Sequence, residues 1–228
     1  MSTPLGAGST GTGSTVESRA HWEHVYSTKA PDRVSWFAPR LGTSLALIGR
    51  VAASRSASII DVGGGASTLV DDLLHTGYPN VSVLDISGVA IDISRSRLGP
   101  AGGNVGWHCA DVTTADLPSN AYDVWHDRAV FHFLTSPDQR RLYVRQVTRC
   151  LKPSGHVIIG TFGPEGPTKC SGLDVVRYDA DSLHNEFGRR FRKVESATEI
   201  HRTPFGTTQQ FVYCSCALES PSTSALQA

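Results

Sequence analysis

The chain is poor in the features that would tie it to a membrane, a metal or a nucleic acid. No apolar run approaches the roughly 18 residues that a membrane-spanning helix needs, which excludes such a helix. Lysine is scarce, with four residues against 17 arginines. The 21 basic side chains are balanced by 21 acidic ones, so the formal net charge is zero and the pI is about 7.1. That balance lacks the basic excess of a general nucleic-acid binder. The cysteines (Cys109, Cys150, Cys170, Cys214 and Cys216) are odd in number and show no metal-finger spacing. Cys214 and Cys216 alternate on an apparent strand and share a face, so a disulfide framework is not expected, and a reducing cytoplasm is the expected setting. At 228 residues, the chain is long enough for one domain whose core buries roughly 70% of the unfolded surface without metal or disulfide staples.

Residues 1–20 are rich in Ser, Thr and Gly and carry neither an apolar run nor a basic start, so they are expected to be a disordered tail and not a signal peptide. Residues 219–228 are expected to be a short polar tail. Between them, apolar strand-like runs at 57–62, 81–84, 105–109, 122–125 and 156–160 alternate with helical stretches, including an amphipathic one at 45–51. Such alternation predicts a parallel sheet covered on both faces. Ser136-Pro137-Asp138-Gln139 predicts a helix start, with an N-cap, a Pro in the first turn and a capping Gln. Tyr143, Val147, Cys150 and Leu151 form its expected buried stripe, ended by Lys152-Pro153-Ser154-Gly155. Runs 191–196 and 209–216 flank Thr203-Pro204-Phe205-Gly206 and read as two antiparallel strands.

The chemistry concentrates at the strand ends. Ile59 to Thr68 reads as a strand running into the Gly-rich turn Gly63-Gly64-Gly65, where backbone amides can approach a ligand and a helix N-terminus favours an anionic group. Asp85 ends the next strand, where a doubly wound fold places the carboxylate that binds ribose hydroxyls, and Asp111 follows the third, within reach of an adenine amino group. A dinucleotide fingerprint would need Gly or Ala at position 68, which is Thr68. Asp61 puts a negative charge beside the turn, which suits the ammonium of S-adenosylmethionine better than a pyrophosphate.

Asp61-Val62-Gly63-Gly64-Gly65, Leu84-Asp85-Ile86-Ser87, Cys109-Ala110-Asp111-Val112, Tyr122 to Asp127 and Leu151 to Gly155 stand in the order and spacing of the class I S-adenosylmethionine-dependent methyltransferases, which the chain resembles. The resemblance implies a Rossmann-like doubly wound α/β sheet of seven strands, mostly parallel with the last antiparallel, as one methyltransferase domain over 21–218. It implies a cofactor site of Trp36, Asp61, Gly63, Gly65, Asp85, Ile86, Asp111, Val112 and His126. Ser67 stands where many members carry a further glycine. The segment from His21-Trp22-Glu23 to Ser35-Trp36-Phe37 resembles a lead-in that closes over the cofactor. An aromatic lid of Trp22, Tyr26 and Trp36 would gain about 0.5–2 kcal/mol beside a sulfonium.

For catalysis the candidates are His126, Asp127 and Arg128 after the fourth strand, with His132 as a further base. Cys170, in the Gly- and Pro-rich segment 162–173, completes the set. Cys170, Val176-Arg177-Tyr178 and Glu199 to Thr203 resemble, more loosely, the tellurite-resistance methyltransferases, which implies a thiol or metalloid acceptor. The expected partner is a small-molecule substrate, with no nucleic acid and no membrane, for a monomer or homodimer. The Asn/Asp-Pro-Pro-Tyr signature of nucleic-acid amino methylation is absent. Three alternatives stay open: a protein lysine methyltransferase, a non-catalytic cofactor-binding module and an NAD-dependent oxidoreductase. The last is opposed by Thr68 and by the lack of a Tyr-x-x-x-Lys pair.

Overall fold

The computed structural model describes residues 15–220. Helix α1 (Thr15–Thr28) is followed by a 3-10 turn at Pro31–Arg33 and by α2 (Gly42–Val51). The strands and helices β1 (Ile59–Val62), α3 (Leu69–His75), β2 (Val81–Asp85), α4 (Gly88–Leu98) and β3 (Gly106–Cys109) then alternate. β4 (Tyr122–Arg128), a 3-10 turn at Phe131–Phe133, α5 (Pro137–Cys150), β5 (Leu151–Phe162) and α6 (Ala180–Phe187) follow. β6 (Phe191–Arg202) and β7 (Thr208–Leu218) complete the domain. A small hairpin, Lys169–Cys170 against Leu173–Asp174, lies between β5 and α6.

The seven-stranded sheet has the order β3-β2-β1-β4-β5-β7-β6. β1 to β5 pair in parallel, and β7 enters antiparallel between β5 and β6, so the last strand alone runs against the rest. The expected sheet is therefore present. The tail expected over 1–20 does not hold for residues 15–20, which belong to α1, while residues 1–14 and 221–228 lie outside the described residues. No helix among the described residues is long and apolar enough to cross a membrane.

Side chains alternate between the two faces of the sheet. On β1 and β4, Ile59 and Val124 pack with Leu47, Ile48 and Leu69 of α2 and α3, whereas Ile60 and Trp125 pack with Tyr143, Val147 and Leu183 of α5 and α6. Ser136 caps α5 by accepting the Asp138 N–H at 3.2 Å, as its sequence predicts. Gln139 instead lines the cavity described below, and Leu151 already belongs to β5.

The same alternation corrects the role expected of Asp127. Its carboxylate turns to the α5 face, fully buried, and accepts the Val130 N–H (2.9 Å), the Phe131 N–H (3.1 Å) and the Tyr143 hydroxyl (2.6 Å). Tyr143 in turn accepts the Trp125 indole N–H at 2.9 Å. Asp127 thus ties the 3-10 turn and α5 to β4, and it does not line the site cavities. Burial pushes its pKa up to about 6, although these donors favour the charged form. A folded value above the ordinary carboxylate range means that keeping Asp127 charged costs stability as the pH rises through about 4–6.

Replacing Tyr143 by Phe removes one donor to Asp127 and leaves the Trp125 N–H without its acceptor. We expect a loss of about 1–3 kcal/mol in urea unfolding, with cofactor affinity unchanged. Parent-like stability would show that this buried chain contributes nothing net.

Candidate functional site

The site lies outside the carboxyl ends of β1, β2 and β4, where the strand order reverses. The Gly63-Gly64-Gly65 turn is shaped by what presses on it. Gly63 has φ +70°, and a Cβ there would collide with Val130. A Cβ on Gly65 would lie 2.5 Å from Oδ2 of Asp85 and 2.6 Å from Cβ of Ala90. With hydrogen there instead, the Gly65 N–H reaches Asp85 Oδ2 at 3.0 Å, and the Ser87 N–H reaches Oδ1 at 2.8 Å. Asp85 is buried, and that burial pushes its carboxyl up to about 6. The two N–H groups oppose the rise, while Asp61 and Glu23 add to it.

A cavity of about 330 Å³ opens over these strand ends. Gly63, Asp85, Ile86, Asp111 and Val112 are on its lining, and Trp36, from ahead of β1, and Arg128 and Cys170, from further along the chain, line it too. The structure thus gathers eight of the expected site residues around one space. Asp111 accepts the N–H and hydroxyl of Thr113 at 2.8 and 2.7 Å. Gly65 acts from behind, through Asp85.

Asp61 and His126 line a neighbouring recess of about 50 Å³, whose lining shares Tyr26, Trp36, Gly63 and Arg128 with the large cavity. Asp61 Oδ1 accepts His126 Nδ1–H at 2.7 Å, and His126 Nε2 accepts the Ser44 hydroxyl at 2.9 Å. Oδ2 of Asp61 is buried beneath Gly64 with no hydrogen-bond partner. Arg128 donates to Tyr213 Oη (3.0 Å), the Trp36 carbonyl (3.1 Å) and Glu199 (3.3 Å), and its guanidinium lies 4.0 Å over the Phe211 ring. It anchors the lead-in segment and still faces both spaces.

One wall and the roof of the cavity are aromatic. Trp22 packs edge-on against Trp36 (5.6 Å) and Phe133 (5.2 Å), and Tyr26 against Trp36 (6.4 Å). Sequence reasoning missed how α1 is held in place. Glu23 accepts the Gly88 N–H (2.8 Å), the Val89 N–H (3.1 Å) and the Ser87 hydroxyl (2.8 Å) at the start of α4. Burial pushes the Glu23 carboxyl up, but these donors prevail and hold it below its usual value. Ser44 was missed as well, since a serine in an apolar helix carries no signal until His126 is seen beside it.

Two further expectations are revised. His132 is fully buried, edge-on to Phe133 and tilted against Phe162, with Nδ1 accepting the Phe162 N–H at 3.3 Å. Burial, reinforced by Arg128, lowers its pKa to about 3, so it stays neutral and is too weak a base to take up a proton at neutral pH. Cys170 lines the cavity, but burial pushes its thiol up to about 12, so it is a neutral thiol and not a thiolate ligand. Among the described residues, no group of three His, Cys, Asp or Glu is placed to hold a metal.

The buried acid under the Gly turn and the acids after β2 and β3 match the charge and hydrogen-bonding pattern of a nucleoside bearing an amino-acid end. Comparison with known proteins agrees. A methyltransferase-domain family model matches residues 59–155. Human EEF1A lysine methyltransferase 2 is 23% identical over 196 residues, 80% of this chain and 77% of that protein. The structure of Burkholderia thailandensis 1,6-didemethyltoxoflavin-N1-methyltransferase, bound to S-adenosylhomocysteine, is 18% identical with a TM-score of 0.65, covering 96% of this chain and 94% of that one. A structure described as the conversion of a disulfide bond into a thioacetal group during echinomycin biosynthesis is 17% identical with a TM-score of 0.74, covering 91% and 95%. At such identities these two likenesses are likenesses of fold. With a methyltransferase-domain match that spans the cofactor motifs, the chain carries the domain and the fold of an S-adenosylmethionine-dependent methyltransferase.

Proposed function

We propose that this enzyme methylates a small molecule through a nucleophile that needs no protein base, a thiol foremost. The observation that carries this reading is the chemistry of the cavity's acceptor side. Arg128 is a permanent cation there, the Cys170 thiol stays protonated, and burial raises the Tyr26 hydroxyl far above neutrality. Asp174 at the rim is paired with Lys169 at 2.7 Å, and both His126 and His132 are wholly buried. A lysine ammonium would have to lose a proton in this setting and would face Arg128. A thiol ionises near neutrality on its own, and the guanidinium favours its thiolate.

The residues present suit the cofactor. Asp85 would accept the ribose hydroxyls on lone pairs not used by Gly65 and Ser87, and Asp111 would lie by the adenine between Ile86 and Val112. Asp61 and Arg128, an acid and a base on one small recess, complement the ammonium and carboxylate of an α-amino acid. Trp36, with Trp22 and Tyr26, would cover the sulfonium. S-adenosylmethionine supplies a methyl on positively charged sulfur, to which the acceptor's lone pair bonds as the carbon–sulfur bond breaks, leaving S-adenosylhomocysteine. The chain's own contribution is to hold acceptor and donor in line under the roof, which can supply about 7–11 kcal/mol. Cys170 and Leu173 would present an apolar wall to the acceptor, which favours organic thiols over metalloid oxyanions.

A protein lysine acceptor is the second reading, and it rests on the name of the human relative that matches most of the chain. S-adenosylhomocysteine release, measured with aliphatic and aromatic thiols, with tellurite and arsenite, and with an elongation factor bearing lysines, separates the two. We expect turnover on thiols. Turnover on the elongation factor alone would replace this reading with the second.

Asp85→Ala is expected to weaken S-adenosylmethionine binding by about 1–3 kcal/mol in calorimetric titration, and unchanged affinity would remove the ribose assignment. Because protonation costs Asp85 its acceptor role, affinity should be flat above about pH 7 and fall steadily below about pH 6. Cys170→Ser should lower kcat/KM for an apolar thiol by about 1 kcal/mol, roughly fivefold, with cofactor affinity unchanged. Parent-like rates would make Cys170 a bystander.

A further inference from the structure

Asp61, His126 and Ser44 come from β1, β4 and α2, and each is at most 2% exposed. Asp61 and His126 are register partners on adjacent parallel strands, which fixes the spacing of their side chains. The carboxylate needs a donor, so the proton on the imidazole belongs on Nδ1, toward Oδ1 at 2.7 Å. Nε2 is then an acceptor, and the Ser44 hydroxyl satisfies it at 2.9 Å. The arrangement has the connectivity of a nucleophilic Ser-His-Asp triad, but it lacks that function, because the serine has no surface at all from which to reach a substrate. What it leaves over is Oδ2 of Asp61, buried, without a partner, and placed beside the recess that Asp61 and Arg128 line.

A buried carboxylate oxygen left without a donor is costly, and its cost is recovered when a cation fills the recess. We propose that Ser44 and His126 are positioning residues for cofactor binding. They occupy one oxygen of Asp61 and fix the imidazole tautomer, so that the other oxygen is held toward the cofactor's ammonium. Arg128 also lines the recess, and it is tethered from behind: it donates to Tyr213 Oη at 3.0 Å, and Tyr213 donates to Glu199 at 3.2 Å. This inference rests on the cofactor placement proposed above.

The test compares two ligands on the full chain. S-adenosylhomocysteine carries the ammonium, whereas 5′-methylthioadenosine keeps the nucleoside and sulfur and lacks the amino-acid end. Calorimetric titration of Asp61→Asn, His126→Gln and Ser44→Ala should show S-adenosylhomocysteine bound about fivefold or more weakly, and methylthioadenosine within twofold of the parent. Ser44→Thr, which keeps the hydroxyl, should restore affinity toward that of the parent. Equal losses on both ligands would show that the three residues only pack the Gly turn, and parent-like binding of S-adenosylhomocysteine by Ser44→Ala would overturn the relay. If His126→Gln does not fold, the two Ser44 variants carry the comparison. A parent that binds neither ligand would refute the cofactor placement itself, and one that binds both equally would refute the ammonium contact alone.

Discussion

A carboxylate buried at the end of β2 organises the site. Asp85 cannot be left without donors, and the backbone supplies two, from Gly65 on one side and Ser87 on the other. The first requires that residue 65 carry no Cβ, which shapes the turn after β1. The second sets the start of α4, where Ser87 also caps the helix by accepting the Ala90 N–H. Glu23 then uses the remaining donors at that helix start and brings α1, with Trp22 and Tyr26, over the cavity. One buried charge is thereby linked through a helix terminus to the roof of the site. Burial of Asp85 is also its cost, since desolvation dominates its pKa, so binding and stability pull in opposite directions at this residue.

β4 shows how the period of a strand assigns chemistry. Successive residues Trp125, His126, Asp127 and Arg128 alternate between faces. Trp125 and Asp127 meet Tyr143 of α5 and become scaffold. His126 and Arg128 meet Ser44 and Tyr213 on the other face and border the recess. Two adjacent titratable residues at one strand end thus serve different purposes, and only one of them lies beside the site.

The acceptor side is distinguished by electrostatics more than by shape. A cation, a protonated thiol and aromatic rings line it, which suits the proposed acceptor, a nucleophile that arrives ready to react. On that reading approach and alignment would carry the catalysis, with the lining carboxylates given to the cofactor or to an ion pair.

Much of this was legible in the sequence. Apolar runs alternating with helical stretches determined the doubly wound sheet, because period and length distinguish buried strands from helices. The Gly turn and the acids at positions 61, 85 and 111 pointed to the strand ends where the cavity and its recess open, since strand ends lie close to one another in such a sheet whatever the connections do. Local signals could not show which way Asp127 and His132 point, that Glu23 reaches α4, or that Ser44 meets His126. Those pairings join residues 16 to 82 positions apart, and only the strand register and helix docking bring them within hydrogen-bonding distance. Nor could they set the state of Cys170: the sequence places a thiol in a Gly-rich segment, while its burial in the folded chain keeps it protonated.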